Sequence, residues 1–391
     1  MTEVLILGAG PAGCAAAIVL AKRGHNALLI DRCSDRSSAK LPETLFPATR
    51  ETLRALKIDL NDRLRSEVSF LSREGACRLT LRMAETSDGC AYVDRNLLDS
   101  MLREKALGAG AHAIETHTII SVQRQDQKFV VTTSDGKVLS ASFLIDASGK
   151  AQASSHLVGG VSSDDRPLDP RSNIFSHFET ERGFDLEAPA IIRADDGFFY
   201  AVPIRAHRIS LGWVTYSNLP PHDLETAFLR QIEATPAARR LVADSRRVLP
   251  VIAGKNTVTN VLRPAADGVF VTGDALGFRD PFFHDGVGFA LASGRLAGES
   301  CADIIDGLTS PFEGETRYAT DLMLAEAALR QSTDEAIERV RNLFSPLQIL
   351  DPHLPCSILA ALMGIVTESP GRTISILEAR RGNSPVLEGA P

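Results

Sequence analysis

No stretch of the chain reaches the ~18 consecutive apolar residues that a membrane-spanning helix needs. Positive charge is also in short supply: 42 Lys and Arg stand against 49 Asp and Glu, a formal net charge of −7 at pH 7. That balance argues against nucleic acid as a partner. The six cysteines, Cys14, Cys33, Cys77, Cys90, Cys301 and Cys356, form no C-x-x-C pair and no zinc spacing, so no metal site is expected. Cys14 and Cys301 fall inside predicted helices, which reads as reduced, buried thiols in a cytoplasmic protein. The apolar N-terminus lacks the basic flank of a signal peptide, carries Glu3, and has glycines where a cleavage site would be. There is no internal repeat. What remains is an ordinary globular composition, 44% hydrophobic and 23% charged over 391 residues, long enough for two domains or one discontinuous pair.

The informative stretch is the first thirty residues. Val4 to Leu7 reads as a short buried strand that breaks at Gly8, and an Ala-rich helix follows to about Arg23, where Gly24 stops it. Ala27 to Ile30 is a second buried strand with Asp31 at its carboxyl end. In Gly8-Ala-Gly10-Pro11-Ala12-Gly13, Gly8 permits the tight turn, Gly10 lets a pyrophosphate approach the backbone, and Gly13 lets helix and strand pack closely. The bare N–H groups and positive dipole of the helix N-terminus favour phosphate charge. Asp31, about 20 residues on, is placed to accept hydrogen bonds from a ribose hydroxyl. A strand, a glycine turn, a helix and a second strand ending in an acid together define a dinucleotide site, without separating NAD from FAD.

Downstream, a helix is expected from about Thr49 to Leu56, and strands at Val68–Phe70 and Arg78–Arg82. A helix capped by Asp94 runs to about Leu107. It is followed by a strand at Ala113–Glu115 and a β-meander over Thr118–Gln123, Lys128–Thr133 and Lys137–Leu139. Asn173–Glu179, Ala190–Arg193, Phe198–Pro203 and Arg208–Tyr216 alternate as strands of a second, mostly antiparallel sheet. Leu224–Ala234 and about Gly286–Ile305 are helical, and the remainder from about Glu313 is mostly helical with a Gly/Pro-rich tail.

Two further buried strands end in small residues and an acid, at Asp146-Ala-Ser-Gly149 and at Gly273-Asp274. Ligands of open parallel sheets bind at the carboxyl ends of the strands, so three such ends converge on one extended ligand. This combination resembles the FAD-binding fold of the p-hydroxybenzoate-hydroxylase class of flavoprotein monooxygenases and, within it, the flavin-dependent halogenase-like branch. The resemblance implies an α/β fold: a Rossmann-like FAD/NAD(P)-binding domain, an antiparallel-sheet substrate domain and a helical C-terminal region. It puts Asp274 under the ribityl chain, Asp280-Pro281-Phe-Phe-His284-Asp285-Gly286-Val287-Gly288 at the isoalloxazine, and Arg95 against the cofactor. Reduced flavin carries negative charge near N1, where a helix beginning near Gly286 offers a positive end. Leu41-Pro-Glu-Thr-Leu-Phe-Pro47 resembles the G-E-S-L-x-P segment of the halogenase branch. Gly197-Phe-Phe-Tyr-Ala-Val-Pro203 resembles its W-x-W-x-I-P sheet, with Phe198 and Tyr200 replacing the tryptophans.

The chain departs from the halogenases at a second point. Their hypohalous-acid lysine belongs near residues 65–75, but no lysine lies between Lys57 and Lys105, and Arg65 gives up its proton too reluctantly to replace one. Hydroxylation through a flavin C4a-hydroperoxide needs no lysine. The expected activity is therefore FAD-dependent monooxygenation of an aromatic or other hydrophobic substrate, free or presented on a carrier protein. A flavin-dependent halogenase, a geranylgeranyl-reductase-like oxidoreductase and a non-redox binding module on the same fold are the alternatives. Electrons would come from NAD(P)H or a partner flavin reductase, since no second GxGxxG is present, and O2 would be the oxidant. Expected cofactor contacts are Gly8, Gly10, Pro11, Ala12, Gly13, Asp31, Arg32, Arg95, Asp146, Gly149, Gly273, Asp274, Pro281, Gly286, Val287 and Gly288, with His284 and Asp285 as catalytic candidates. His177 faces either a substrate pocket or the core, and Arg65 is either a carboxylate partner or a surface charge. The expected division is an FAD domain from 1–66, 91–155 and 260–305, a substrate sheet from 67–90 and 156–259, and a helical region over 306–391.

Overall fold

The computed structural model describes residues 2–31, 43–45, 47–60, 67–76, 78–82, 91–115, 118–163, 172–186, 188–205, 207–215, 219, 223–254, 259–277 and 286–325. Its centre is a six-stranded sheet in the order Ala265–Ala266, Val269–Val271, Phe143–Asp146, Val4–Leu7, Ala27–Asp31, His112–Glu115. All neighbours run parallel except the short edge strand Ala265–Ala266, which is antiparallel. The strands Val4–Leu7, Ala27–Asp31 and Phe143–Asp146 read as unbroken apolar runs because both faces are covered, and Val4 through Leu7 are fully buried. From Val4–Leu7 the chain first builds outward through Ala27–Asp31 to His112–Glu115. It then returns to the other side with Phe143–Asp146 and Val269–Val271. The sheet therefore has its topological switch point between Val4–Leu7 and Phe143–Asp146, and open α/β sheets take their ligands at that crevice.

The helices are α1 Pro11–Lys22, α2 Pro47–Ala55, α3 Arg95–Gly108, α4 Leu224–Ala234, α5 Pro236–Val242 and α6 Gly286–Ile305, and residues 311–325 are helical as well. Helix α1 is buried from Pro11 to Leu20 and ends before Gly24, whose φ is +84°. It packs on α6 at backbone distance: a Cβ on Gly294 would sit 2.1 Å from the Ala12 carbonyl oxygen, and one on Gly298 2.9 Å from that of Ala16. Only glycine permits that approach, and it brings the start of α6 beside the first glycine turn. Asp94 caps α3 as its position predicts, accepting from the Asn96 N–H at 2.8 Å. The meander Ile119–Gln125, Lys128–Thr133, Val138–Ala141 forms as expected.

A second sheet runs Arg246–Arg247, Ser172–Glu179, Arg208–Thr215, Phe198–Arg205, Ala190–Arg193, Glu67–Leu71, Arg78–Arg82. It is antiparallel apart from one parallel pairing, between Ala190–Arg193 and Glu67–Leu71. One face is closed by α4 and α5 over Ile174, Phe178, Phe199, Leu211, Trp213, Phe228 and Ala238. The opposite face carries a separate cluster of Phe175, Tyr200, Val202 and Val214. Period-two alternation makes this division: Phe199 packs on the helices while Phe198 and Tyr200 turn the other way. Glu43–Leu45 also forms a strand, which pairs antiparallel with Ala91–Val93 and sets Glu43 opposite Val93. No local pattern announces this pairing, because its partner lies nearly fifty residues away. No helix among the described residues is long and apolar enough to cross a membrane.

Candidate functional site

The parallel register aligns the strand ends. Leu7 pairs with Ile30 on one side and Asp146 on the other, and Asp146 pairs with Val271. The turns after these strands therefore meet. Gly8 has φ +101°, and a Cβ on it would lie 2.4 Å from the Ala147 carbonyl oxygen. A Cβ on Gly13 would lie 1.9 Å from the carbonyl oxygen of Gly8. Gly10 differs: its backbone is extended (φ −76°, ψ −174°) and no described residue lies within 4 Å of the place a Cβ would take. Gly8 and Gly13 are thus glycine because the chain crowds them, whereas the space at Gly10 is open. Helix α1 begins there with no side-chain cap and no acid in its first turn, an arrangement that leaves the positive end of the helix dipole to a ligand.

The other turns close around this point. Gly273, at φ +60°, comes so near α1 that a Cβ would be 3.0 Å from that of Ala12 and 3.5 Å from that of Ala290 on α6. The Ser293 hydroxyl fixes it, accepting from Gly273 N at 3.1 Å and Thr272 Oγ1 at 2.9 Å while donating to the Phe289 carbonyl at 2.6 Å. Sequence reasoning missed Ser293. Its signal was a serine midway along an apolar helix, where a hydroxyl needs a reason. Gly10, Gly273, Asp274 and the first turn of α6, with Gly286 exposed and Val287 and Gly288 buried, thus share one neighbourhood.

Asp146 is expected to touch a ligand, but its carboxylate turns inward. It is 1% exposed and accepts from Ser148 N at 2.9 Å, Ser154 N at 2.7 Å and Ser154 Oγ at 2.8 Å. It shapes the turn that carries Gly149, whose φ is +63°. Asp146→Ala strands those donors and should lower stability by about 2 kcal/mol in denaturant titration; an unchanged midpoint would contradict this role. Asp31, at the end of its strand, lies 3.8 Å from Arg103 of α3, a partner not foreseen. Arg95 is held between Glu43 at 3.1 Å and Asp99 at 3.2 Å. Burial pushes the Glu43 carboxyl up to about 7 against the pull of Arg95, and the charges of Asp274 and Asp99 add to the rise. On the second sheet, burial and then the charge of Arg208 hold the His177 imidazole down to about 4, against a smaller upward pull from Asp94. His177 is therefore neutral at pH 7. Arg32, Arg65, Pro281, His284 and Asp285 lie outside the described residues.

A parallel sheet with its switch point under a glycine turn, joined to an antiparallel sheet, is the fold seen in FAD-dependent halogenases. The chain belongs to the lycopene cyclase protein family, whose profile it matches over residues 3–350. Among curated relatives it is 23% identical to the tryptophan 2-halogenase of Chondromyces crocatus, over 78% of this chain and 62% of that protein. It is 23% identical to the digeranylgeranylglycerophospholipid reductase of Methanothrix thermoacetophila, over 86% and 85% of the two chains. It is 24% identical to the 1H-pyrrole-2-carbonyl-[peptidyl-carrier protein] chlorinase of Pseudomonas fluorescens, over 100% and 94%. Thus the chain spans less than two thirds of the tryptophan halogenase but nearly all of the pyrrole chlorinase. In structure it is similar to the myxobacterial chondrochloren halogenase CndH, with a TM-score of 0.73 at 21% identity over 96% of this chain and 97% of that one.

Proposed function

We propose that the chain is an FAD-dependent monooxygenase acting on an aromatic or other hydrophobic substrate, free or carried on a protein. The observation that carries the flavin site is the meeting of Gly8, Gly10, Ala147 and Gly273 at the switch point, with the start of α1 uncapped and no described residue crowding Gly10. These residues fit FAD. The amides of Ala12 and Gly13 would face the pyrophosphate, Asp31 the adenosine ribose, Gly273-Asp274 the ribityl chain, and the start of α6 at Gly286, Val287 and Gly288 the pyrimidine edge. Gly149 would border the same crevice, Asp146 and Arg95 would position these groups, and Arg32 and Pro281 are further proposed contacts.

When bound, FAD supplies two-electron chemistry and oxygen activation, drawing electrons from NAD(P)H directly or through a partner reductase. The chain's part is to bind and orient the flavin and exclude water. His284 and Asp285 are proposed to move protons at the substrate. The proposed division is an FAD domain (1–66, 91–155, 260–305) and a substrate sheet (67–90, 156–259), with a helical region over 306–391, of which 326–391 lie outside the described residues. The buried thiols of Cys14 and Cys301 fit a cytoplasmic protein.

A second reading, halogenation, is favoured by the near-complete overlap with the pyrrole chlorinase and with CndH. Against it stands the lack of any lysine between Lys57 and Lys105. The test is turnover of reduced, FAD-loaded protein with candidate aromatics under oxygen, with and without chloride or bromide, products read by mass. Hydroxylation gives a mass gain of one oxygen independent of halide. Product that forms only with halide establishes the halogenase, and anaerobic substrate reduction establishes the reductase.

A further inference from the structure

The face of the second sheet that turns away from α4 and α5 is built in rows. Direct cross-strand partners share a face, so the register sets Asn173, Val214 and Phe198 in one row, Phe175, Gly212 and Tyr200 in the next, and His177, Ser210 and Val202 in the third. The middle row is flat. A Cβ on Gly212 would sit 2.0 Å from Cζ of Tyr200, so the tyrosine ring lies directly over that glycine. Its hydroxyl donates to Asn173 Oδ1 at 2.8 Å, which pins the ring, and burial raises its pKa so that the donor stays protonated. Phe175 flanks this floor, 6.0 Å from the His177 ring at a 41° tilt.

The third row is different in kind. His177 is 3% exposed and Ser210 is 0% exposed, and neither His177 Nε2 nor Ser210 Oγ has a hydrogen-bond partner among the described residues. Two buried polar atoms without partners, on directly opposed residues of one face, are costly unless something is meant to meet them. Charge of either sign is already answered nearby: Arg208, in the next row, pairs with Glu179, which also accepts from Arg246 at 3.1 Å. Asp94, the residue that caps α3, stands close enough for its charge to reach His177.

We propose that His177 Nε2 and Ser210 Oγ together hold an uncharged hydroxyl at the edge of an aromatic substrate whose ring lies over Phe175, Gly212 and Tyr200. This rests on the flavin-enzyme reading above and adds the substrate class and the residues that select it. A neutral imidazole and a hydroxyl can between them give and receive a hydrogen bond, which matches a phenol. Among the described residues a carboxylate would meet Arg208 already paired with Glu179, and a methyl ether could not donate.

The test uses the full-length, FAD-loaded protein and three probes, 4-propylphenol, 4-propylanisole and 4-propylbenzoate, titrated by calorimetry. The expected result is phenol binding about tenfold tighter than anisole, with the benzoate weakest. His177→Leu and Ser210→Ala should each erase most of that preference while anisole affinity and FAD affinity stay as in the native protein. His177→Gln, which keeps a donor and an acceptor, should restore part of it, as a merely structural histidine would not. Equal binding of phenol and anisole, tightest binding of the benzoate, a preference that survives both variants, or no binding of any probe to flavin-loaded protein overturns the assignment. If the native chain takes up no FAD, the flavin reading fails instead. The same titrations on the flavin-free chain then decide the His177–Ser210 assignment alone, by the same outcomes.

Discussion

Gly10→Ala should leave the fold intact and cost the protein its FAD, whereas Gly13→Ala should cost it both. The two glycines sit three residues apart in one motif, but the chain surrounds them differently. At Gly10 the backbone is extended, a conformation any residue adopts, and an added methyl meets none of the described residues within 4 Å. With no described residue in the way, the methyl would meet the bound pyrophosphate, so affinity should fall about a hundredfold or more, roughly 3 kcal/mol, while the denaturation midpoint of the flavin-free protein stays put. At Gly13 the methyl would lie 1.9 Å from the Gly8 carbonyl oxygen and 3.3 Å from the Ala147 side chain. Both are held by the parallel strands, so the overlap forces helix and sheet apart at a cost of about 3 kcal/mol. Flavin fluorescence titration and chemical denaturation of each variant separate the two effects. A Gly10→Ala protein that binds FAD like the parent would remove the pyrophosphate from this turn.

A carboxyl that titrates near neutrality should make the protein lose stability between about pH 4.5 and 7, and Glu43→Gln should flatten that slope. Burial is the first cause of the rise in Glu43, and the charge and hydrogen bond of Arg95 only partly offset it, with Asp274 and Asp99 pushing the same way as burial. The sign follows from proton counting. Between the unfolded value of 4.5 and the folded value of about 7, the folded chain holds a proton that the unfolded chain has released. Stability is therefore fully present below the lower value and is lost as pH rises through the upper one, by about 3 kcal/mol at most. Denaturant titrations of native and Glu43→Gln protein across pH 4.5–8 measure it. Parallel profiles would mean that Glu43 ionises normally.

How much of this was legible beforehand depends on how local each signal is. The strand–glycine–helix–strand unit over residues 4–31 was readable because every instruction in it lies within a few residues: the apolar run, Gly8 at positive φ, Gly24 past the helix end. The Asp94 cap and the bounds of Leu224–Ala234 and Gly286–Ile305 were readable for the same reason. Glu43 was not, because its character comes first from burial and then from Arg95, Asp274 and Asp99, groups far from it in the chain. Asp146 shows the limit of motif reasoning. A strand-ending acid suggests a ligand contact, and only the positions of Ser148 and Ser154 reveal a carboxylate engaged within its own turn. His177 was ambiguous between pocket and core, and only the register shows that Ser210 stands opposite it.

The sequence by itself determined the family, the α/β class and the glycine turn, since chain sterics and hydrophobic periodicity act over short separations and need no partner to be recognised. Which side chains share a face or a charge cloud was decided only by tertiary structure. Electrostatics and hydrogen bonding depend on distance in space, and the folded sheet brings together residues that are far apart along the chain.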